Sequence, residues 1–268
     1  MSGRLPLLLL MVVVAGLMTG CRSNLDRRFT KLDGRTVEFA TAGAGGPTVV
    51  FEAGLGHDWT IWDSVAGQVS GSARVFAYAR PGHGASEAVA APRDPSHIVE
   101  ELRALLTAEG YAPPYVLVGH SFGGAYMELF AKAHPSEVAG LVLVDPRHPD
   151  FSASCDAANI TGCGIPASVV PMLPQPDRAE FEGFASASAQ IHAAGPFGEY
   201  PVRILISNHH NGVGAGFEAL WASMLTSLAA EAVDGQTLVI DGAGHVIQVE
   251  RPEEVTRAIL AVLPRSDR

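Results

Sequence analysis

Short apolar segments rich in β-branched residues alternate with amphipathic helical patterns along most of this sequence, and this alternation limits the possible folds. Several of these segments are continuously apolar, which is typical of strands that are buried on both faces. Strand-like segments occupy residues 36–42, 48–53, 74–79, 115–119, 141–145, 202–207 and 237–241, and helical patterns occupy residues 59–69, 97–109, 122–133, 217–230 and 253–263. Strands separated by helices predict an α/β fold with a mostly parallel central sheet and helices on both sides.

The sequence predicts one α/β domain over residues 29–268, preceded by a short tether at residues 21–28. The first part of the domain, residues 29–42, is hairpin-like and is expected to supply antiparallel edge strands. Residues 147–200 interrupt the alternation with many prolines and scattered large apolar side chains. A long insertion of this kind usually carries function or is disordered, and this one is too apolar for disorder. We therefore expect a small cap over a pocket.

The overall composition excludes one class of partner. The chain has 28 acidic and 18 basic residues and a formal net charge of −10, so it has no surplus of positive charge to neutralise phosphates. Nucleic-acid binding is therefore not expected. A hydrophobic content of 47% is ample for a buried core.

The N-terminus has the pattern of an export signal. Residues 5–18 form an apolar run that is too short to cross a bilayer but suits a signal-peptide core. The segment LMTGC at residues 17–21 resembles the lipobox of bacterial lipoproteins, which implies cleavage of residues 1–20 and acylation of Cys21. The predicted location is the bacterial cell envelope, with Cys21 as a lipid anchor in the membrane. The alternative is an ordinary secretory signal that is cleaved earlier, for instance after Ala15.

Export changes the interpretation of the two remaining cysteines. Cys155 and Cys163 lie in a segment rich in glycine, alanine and asparagine. An oxidising compartment permits a disulfide between them, and two unpaired thiols are the alternative. No partners at ligand spacing flank them, so metal binding at these cysteines is not expected.

A serine motif stands between a strand-like and a helical segment. Gly119-His120-Ser121-Phe122-Gly123 follows an apolar run and is followed directly by a helical pattern. A serine at such a sharp turn projects its hydroxyl away from the backbone, and the flanking glycines leave room for neighbouring backbone. The start of the helix directs N–H groups towards a developing oxyanion. This context points to a nucleophilic serine.

With this motif and four others, the chain resembles the α/β-hydrolase superfamily, in particular its compact bacterial esterase-like members. The other motifs are FEAGLG at residues 51–56, YARPGHG at residues 78–84, GLVLVD at residues 140–145 and GAGH at residues 242–245. The resemblance covers about residues 30–265 and implies a serine hydrolase with a Ser-His-Asp triad that needs no cofactor or metal. A serine nucleophile argues against the dehalogenases and epoxide hydrolases of the superfamily, which use aspartate.

The resemblance also indicates the other two members of the triad. His245 follows the last strand pattern and matches the family's base position. The usual acid follows the penultimate strand, where this chain has Asn208-His-His-Asn-Gly and no carboxylate. The alternative site in the family is the end of the strand after the nucleophile, where Asp145 stands, so Asp145 is the predicted acid. The remaining candidates are Asp150, Asp234 and Asp241.

Other histidines are assigned lesser roles. His120 adjoins the nucleophile but points the other way, and it is expected to be structural. His57 and His83 are expected to rim the pocket, where contact with substrate is possible. His209 and His210 are interpreted as loop residues.

The expected oxyanion hole consists of two backbone N–H groups, those of Leu55 and Phe122. Phe122 follows the nucleophile, and Leu55 lies in the Ala-Gly-Leu-Gly loop where the family often has His-Gly. A backbone N–H group can donate whatever the side chain of its residue is, so Leu55 can supply the second oxyanion donor. The alternative for this loop is a tight glycine-rich turn with no catalytic role.

The predicted activity is hydrolysis of a small-molecule carboxylic ester with a neutral or apolar acyl group. An aminopeptidase, amidase or thioesterase on the same triad is the first alternative. Acidic residues of the cap that bind the free amine of a substrate would favour an aminopeptidase. The candidates are Asp177, Glu180, Glu182 and Glu199. A non-catalytic binding protein on a hydrolase scaffold is the second alternative.

Overall fold

The computed structural model describes residues 25–90 and 92–264, which form one eight-stranded sheet with helices on both faces. The strand order is β1-β2-β4-β3-β5-β6-β7-β8. The pairs β1–β2 and β2–β4 are antiparallel and all the others are parallel. The strands are β1 (Asp26–Leu32), β2 (Arg35–Ala42), β3 (Thr48–Glu52), β4 (Arg74–Tyr78), β5 (Tyr115–His120), β6 (Val138–Val144), β7 (Pro201–Ser207) and β8 (Asp234–Ile240).

Two apolar layers sandwich the sheet. Helices α1 and α9 pack on one face, and α2, α3 and α7 pack on the other. The helices are α1 (Asp63–Val69), α2 (Pro95–Ala108), α3 (Phe122–Ala133), α4 (Phe151–Ala157), α5 (Gln175–Gly183), α6 (Ala187–Ala194), α7 (Ala215–Ala230), α8 (Ile247–Glu250) and α9 (Pro252–Val262). The predicted fold class is confirmed.

Strand β5 shows why the central strands are continuously apolar. Successive side chains of a strand point to opposite faces. Val116 and Val118 therefore join the layer of α1 and α9, whereas Tyr115 and Leu117 join the layer of α2, α3 and α7. Both layers exclude water, so neither face of the strand has a polar stripe.

Residues 147–200 lie between β6 and β7 and contain helices α4, α5 and α6. A buried ion-pair network attaches this cap to the sheet. Arg80, which follows β4, donates to Glu52 at the end of β3 at 2.6 Å and to Glu180 of α5 at 2.8 Å. His83 donates from Nε2 to Asp177 of the same helix at 2.9 Å.

The N-terminal boundary of the domain differs from the predicted one. Strand β1 begins at Asp26, so residues 26–28, predicted as tether, pair with β2 at the edge of the sheet. Leu25 is buried with the layer of α1 and α9. The predicted signal peptide at residues 1–20 and the anchor at Cys21 lie outside the described residues. Within the described residues, no helix is both long and apolar enough to span a membrane.

Candidate active site

Ser121 occupies a strained turn between β5 and α3. Its φ of 53° and ψ of −120° lie in a region that residues with a Cβ rarely adopt. A Cβ on Gly119 would lie 2.4 Å from the carbonyl oxygen of Gly123, and one on Gly123 would lie 2.4 Å from that of Ala53. The two flanking glycines of the motif therefore allow the turn to close against β3.

The structure brings Ser121, His245 and Asp145 together from the ends of three different strands. The Ser121 Oγ lies 2.9 Å from Nε2 of His245, and Nδ1 of His245 donates to Oδ2 of Asp145 at 2.6 Å. Carboxyl ends of parallel strands meet at one edge of the sheet, which is where open α/β sheets place their sites. The hydroxyl, imidazole and carboxylate form a continuous hydrogen-bonded chain.

Asp145 is buried and fully hydrogen-bonded. Its Oδ1 accepts from the backbone N–H of Ser207 at 2.9 Å and from Nε1 of Trp221 at 2.8 Å. Burial by itself would raise the pKa of Asp145, but the hydrogen bonds from His210 and His245 outweigh it and hold that pKa well below its ordinary value. Asp145 is therefore ionised at neutral pH and accepts only.

The three other candidate acids lie elsewhere. Asp150 accepts from Ser188, Asp234 pairs with Arg203, and Asp241 accepts from Asn208. Among the side chains that the structure describes, the carboxylate hydrogen-bonded to His245 is that of Asp145.

His210 lies in the loop between β7 and α7, as interpreted, but it is also part of this network, which the sequence did not predict. Its Nε2 donates to Oδ2 of Asp145 at 2.8 Å, and its Nδ1 lies 2.9 Å from Oε2 of Glu218 in α7. Burial by itself would lower the pKa of His210, but the hydrogen bonds and charges of Asp145 and Glu218 raise it. Asp145 thus accepts from two imidazoles, one of which is held between two carboxylates.

The sequence contained one signal for His210. It stands after the penultimate strand, where the family usually has its acid, and Glu218 follows eight residues later at the start of a helical pattern. A histidine in place of the usual acid indicates a polar partner at that position. The proximity of Asp145 to this loop depends on the tertiary structure, and the spacing of residues in the sequence does not predict it.

His120 has the expected structural place. It is fully buried, and its Nε2 donates to the backbone carbonyl of His245 at 2.9 Å. Burial lowers the pKa of His120 to about 3, so the ring is neutral. His120 therefore fixes the backbone that carries His245.

The other two histidines that were expected at the rim of the pocket differ from each other. The Nδ1 of His57 donates to the carbonyl of Leu55 at 3.1 Å, close to the candidate oxyanion loop. His83 instead binds Asp177 of the cap. Neither His57 nor His83 is among the described residues that line the cavity beside Ser121.

The two candidate oxyanion donors flank the serine. Gly54 packs so closely that a Cβ there would lie 3.1 Å from the Cβ of Ser121, which places the loop containing Leu55 beside the hydroxyl. Phe122 begins α3, where backbone N–H groups have no partner within the helix. Within the part of the chain that the structure describes, neither N–H donates to another residue.

Arg80 fixes the loop that contains Leu55. Its Nη1 donates to the carbonyl of Ala53 at 2.6 Å and its Nη2 donates to that of Gly54 at 2.9 Å. These bonds hold two carbonyl groups away from the serine hydroxyl. The same guanidinium binds the cap through Glu180, so the loop and the cap share one support.

A cavity of about 730 Å³ opens onto Ser121 and His245. Most of its lining is apolar and comes from the cap, from α7 and from the loops after β5 and β8. The apolar side chains are Phe122, Ile165, Pro166, Val169, Leu173, Phe181, Val213, Phe217, Trp221 and Val246. The acidic cap residues Asp177, Glu180, Glu182 and Glu199 are absent from the described lining.

Three residues of the hydrogen-bond network around Asp145 have side chains of the kinds that bind metal ions. Ligand atoms of Asp145, His210 and His245 lie within 4.8 Å of one another. Each of these atoms already takes part in a hydrogen bond of the network, and a metal on His245 Nδ1 would displace its bond to Asp145. The arrangement therefore suits proton transfer better than metal ligation.

Cys155 of α4 and Cys163 lie at the base of the cap. Their sulfur atoms are 2.13 Å apart, at disulfide distance, and their Cα atoms are 6.3 Å apart. Cys163 also lines the cavity, so this bridge would hold one wall of the pocket.

Comparison with known proteins identifies the family. The model of the alpha/beta hydrolase family matches residues 49–258, from β3 into α9. The chain belongs to the alpha/beta hydrolase family. The predicted resemblance is confirmed, and membership supports a hydrolase that acts on a small molecule. The matched region contains Ser121, Asp145 and His245.

Individual relatives agree with this family. YqjL, an uncharacterized protein of Bacillus subtilis, is 29% identical over 227 residues, which cover 82% of this chain and 85% of that protein. Lipase LipV of Mycobacterium tuberculosis is 42% identical over 96 residues, which cover 36% of this chain and 32% of the lipase.

Solved structures share the fold. A membrane phospholipase A described as a bacterial virulence factor aligns with a TM-score of 0.63 and 22% identity, over 90% of this chain and 86% of that one. The epoxide hydrolase CorEH aligns with a TM-score of 0.62 and 18% identity, over 89% of this chain and 98% of that one. At these identities the similarity concerns the fold alone.

Proposed function

We propose that this member of the alpha/beta hydrolase family is a serine carboxylesterase. The observation that carries the proposal is the hydrogen-bonded chain from Ser121 through His245 to Asp145, beside two backbone N–H groups that have no partner among the described residues. Nucleophile, base and orienting acid within hydrogen-bond distance are the requirement for activating a serine hydroxyl at neutral pH.

The reaction follows from these contacts. Ser121 Oγ attacks the ester carbonyl carbon while its proton passes to Nε2 of His245. The N–H groups of Leu55 and Phe122 donate to the oxyanion, and each such donor contributes about 3 kcal/mol to the transition state. Collapse breaks the bond to the alcohol oxygen, which takes the proton from His245 and leaves an acyl-Ser121.

Water completes the cycle by the same groups. His245 takes a proton from water as the water oxygen attacks the acyl carbon. Collapse of the second oxyanion returns the proton to Ser121 and releases the carboxylic acid. Asp145 stays ionised throughout and stabilises the imidazolium form of His245 at both steps.

A fluorophosphonate probe tests the nucleophile. We expect the native protein to be labelled at Ser121 and to hydrolyse p-nitrophenyl butyrate, whereas Ser121→Ala is neither labelled nor active. Ser72→Ala, a change of an exposed serine in the turn between α1 and β4, is the matched control and keeps both properties. Folded native protein that resists labelling and turns over no ester would support the non-catalytic alternative.

The same triad supports thioester or amide hydrolysis as the second candidate. The aminopeptidase variant of this candidate needs acidic groups that meet a free amine, and the four acidic cap residues are absent from the described cavity lining. A side-by-side panel of esters, thioesters and aminoacyl amides with one acyl group separates these activities. The ester is expected to have the highest kcat/KM.

We also propose that the protein is exported and held in the cell envelope by a lipid on Cys21. The support is the sequence LMTGC at residues 17–21 after an apolar run. When the full chain is expressed in a bacterium, we expect the protein to partition into the detergent phase. We also expect globomycin, which inhibits the lipoprotein signal peptidase, to block its cleavage. Cys21→Ser is expected to prevent acylation, and a native mature protein that begins before residue 21 would contradict the anchor.

A further inference from the structure

Arg147 is a basic side chain fixed in the wall of the cavity beside the nucleophile. Its backbone N–H donates to the carbonyl oxygen of Ser121 at 2.9 Å. Its Nη2 donates to Ser152 Oγ and to the carbonyl of Cys163, both at 2.7 Å, and its guanidinium lies 4.9 Å from the ring centre of Phe151. These contacts hold the guanidinium in one place and leave Nε and Nη1 without a partner among the described residues.

This guanidinium lacks a counter-charge. Arg147 forms no ion pair with any residue that the structure describes, and burial without a carboxylate neighbour lowers the pKa of Arg147 to about 10. Arg147 is half-buried, whereas Arg80 is fully buried and has two carboxylate partners, Glu52 and Glu180. A cation that is partly withdrawn from water is normally paired, because its desolvation is costly. The unpaired state of Arg147 therefore indicates a partner that arrives with the substrate.

Among the described lining residues, Arg147 is the positive group that the triad network does not use. No other lysine or arginine is among the described lining residues. Glu250, the acidic lining residue, already accepts a hydrogen bond from the backbone N–H of Gly244 at 2.9 Å. An anionic group of the substrate would meet unpartnered N–H groups on Nε and Nη1, which lie on different sides of the planar guanidinium, so each can donate singly to a carboxylate or phosphate oxygen.

We propose that Arg147 forms an anion subsite and that the preferred substrates are esters with a carboxylate or phosphate group near the scissile bond. The apolar lining takes the hydrocarbon part of such a substrate, and Nε or Nη1 of Arg147 donates to one of its anionic oxygens. This inference rests on the proposed esterase function. It differs from the sequence-based prediction of a neutral or apolar acyl group.

Two matched pairs of esters test the subsite. The first pair is mono-p-nitrophenyl glutarate and p-nitrophenyl pentanoate, which differ by a carboxylate on the acyl side. The second pair is butyryl glycerophosphate and monobutyrin, which differ by a phosphate on the alcohol side. For each pair the measurement is the ratio of kcat/KM for the charged ester to that for the neutral ester, in native protein, Arg147→Gln and Arg178→Gln.

We expect native protein to favour the charged ester of at least one pair by about 10-fold or more, since a hydrogen-bonded ionic contact has that magnitude. Arg147→Gln is expected to reduce this ratio to near one, and the ratio cancels any change in kcat/KM that is common to the charged and the neutral ester. Arg178→Gln makes the same chemical change on a cap helix outside the cavity lining, and its ratios should equal those of native protein. The pair that responds identifies the anion as carboxylate or phosphate.

Two results would overturn the subsite. One is native protein that favours neither charged ester, and the other is a preference that Arg147→Gln retains. If Arg147→Gln does not fold, phenylglyoxal modification of native protein, mapped by mass spectrometry, replaces it. Glutarate or glycerophosphate should then protect Arg147 and leave Arg178 reactive, and absence of protection would also overturn the proposal. Failure of the esterase function itself is distinct, since neither neutral nor charged esters would then be hydrolysed.

Discussion

The contact between His210 and Asp145 predicts a change in the pH dependence of activity. Ionised carboxylates only accept hydrogen bonds, so the short contacts of His210 with both Asp145 and Glu218 require protons on both of its nitrogens. His210 is then an imidazolium at neutral pH, in line with its raised pKa. Its positive charge opposes a second positive charge on His245, which shares the same Asp145 oxygen.

The size of this opposition follows from the geometry. The ring centres of His210 and His245 are 5.7 Å apart. Unit charges at that distance repel by about 0.7 kcal/mol in water and about 3 kcal/mol at an effective dielectric constant of about 20. These energies correspond to about 0.5 and 2 pH units. The His245 side chain is 36% exposed, so we expect an effect between these limits, about one unit.

His210→Gln removes the charge and keeps an amide that can donate to Asp145. His245 must be unprotonated to accept the serine proton, so the acid limb of kcat/KM reports its protonation in the free enzyme. Without the charge on His210, a positive charge on the triad is repelled less, and we expect the acid limb of kcat/KM to move about one unit to higher pH. The assay is p-nitrophenyl butyrate hydrolysis at constant ionic strength from acid to neutral pH.

A neighbouring histidine provides the control. His209→Gln changes an exposed ring that makes no side-chain contact with Asp145 among the described residues, and its profile should match that of native protein. A folded His210→Gln protein whose acid limb stays within about 0.2 units of native would refute the reasoning. A shift to lower pH would refute it as well, because it would mean that His210 is neutral and acts only by packing.

Three further changes test the triad, the serine turn and the attachment of the cap. Asp145→Asn should lower kcat by about 10⁴, because the amide favours the wrong imidazole tautomer, while Asp241→Asn stays near native; near-normal ester turnover in the first would overturn the acid assignment. Gly54→Ala places a Cβ 2.9 Å from Nδ1 of buried His120 and 3.1 Å from the Cβ of Ser121 and should lower kcat, and unaltered kcat would contradict the close approach. Glu180→Gln leaves buried Arg80 with one carboxylate and should lower the free energy of unfolding in urea by about 3 kcal/mol, whereas a loss below about 1 kcal/mol would argue against a structural role for the pair.

The sequence predicted those features that depend on short-range pattern. The alternation of strands and helices predicted the fold class, and the pattern from Gly119 to Gly123 located the serine turn. Gly119 is required by its contact with Gly123 in the same strand–turn–helix unit, whereas Gly123 is required by its contact with Ala53 after β3. His245 and Asp145 followed from their positions after particular strands, since parallel strands bring their carboxyl ends to one edge.

The sequence did not predict features that depend on contacts across the fold. The cap helices α4, α5 and α6 are short and flanked by prolines, so their apolar periodicity is weak. The contact of His210 with Asp145 joins residues 65 positions apart, and no local pattern marks it. Strand β1 begins before its predicted start because Asp26–Arg28 are polar edge residues, whose pairing with β2 satisfies the backbone rather than burying side chains.

The placement of the acid explains why the network can contain a second histidine. When the carboxylate follows β6, the loop after β7 no longer has to supply it, and its side chain is free to contact that carboxylate instead. Imidazolium at this position partly neutralises Asp145 while Asp145 also accepts from Trp221 and the backbone of Ser207. An acid so fully bonded binds a protonated His245 less strongly than an isolated carboxylate would, because its charge is shared. This sharing of charge gives His210 a physical effect on the reaction without contact with substrate.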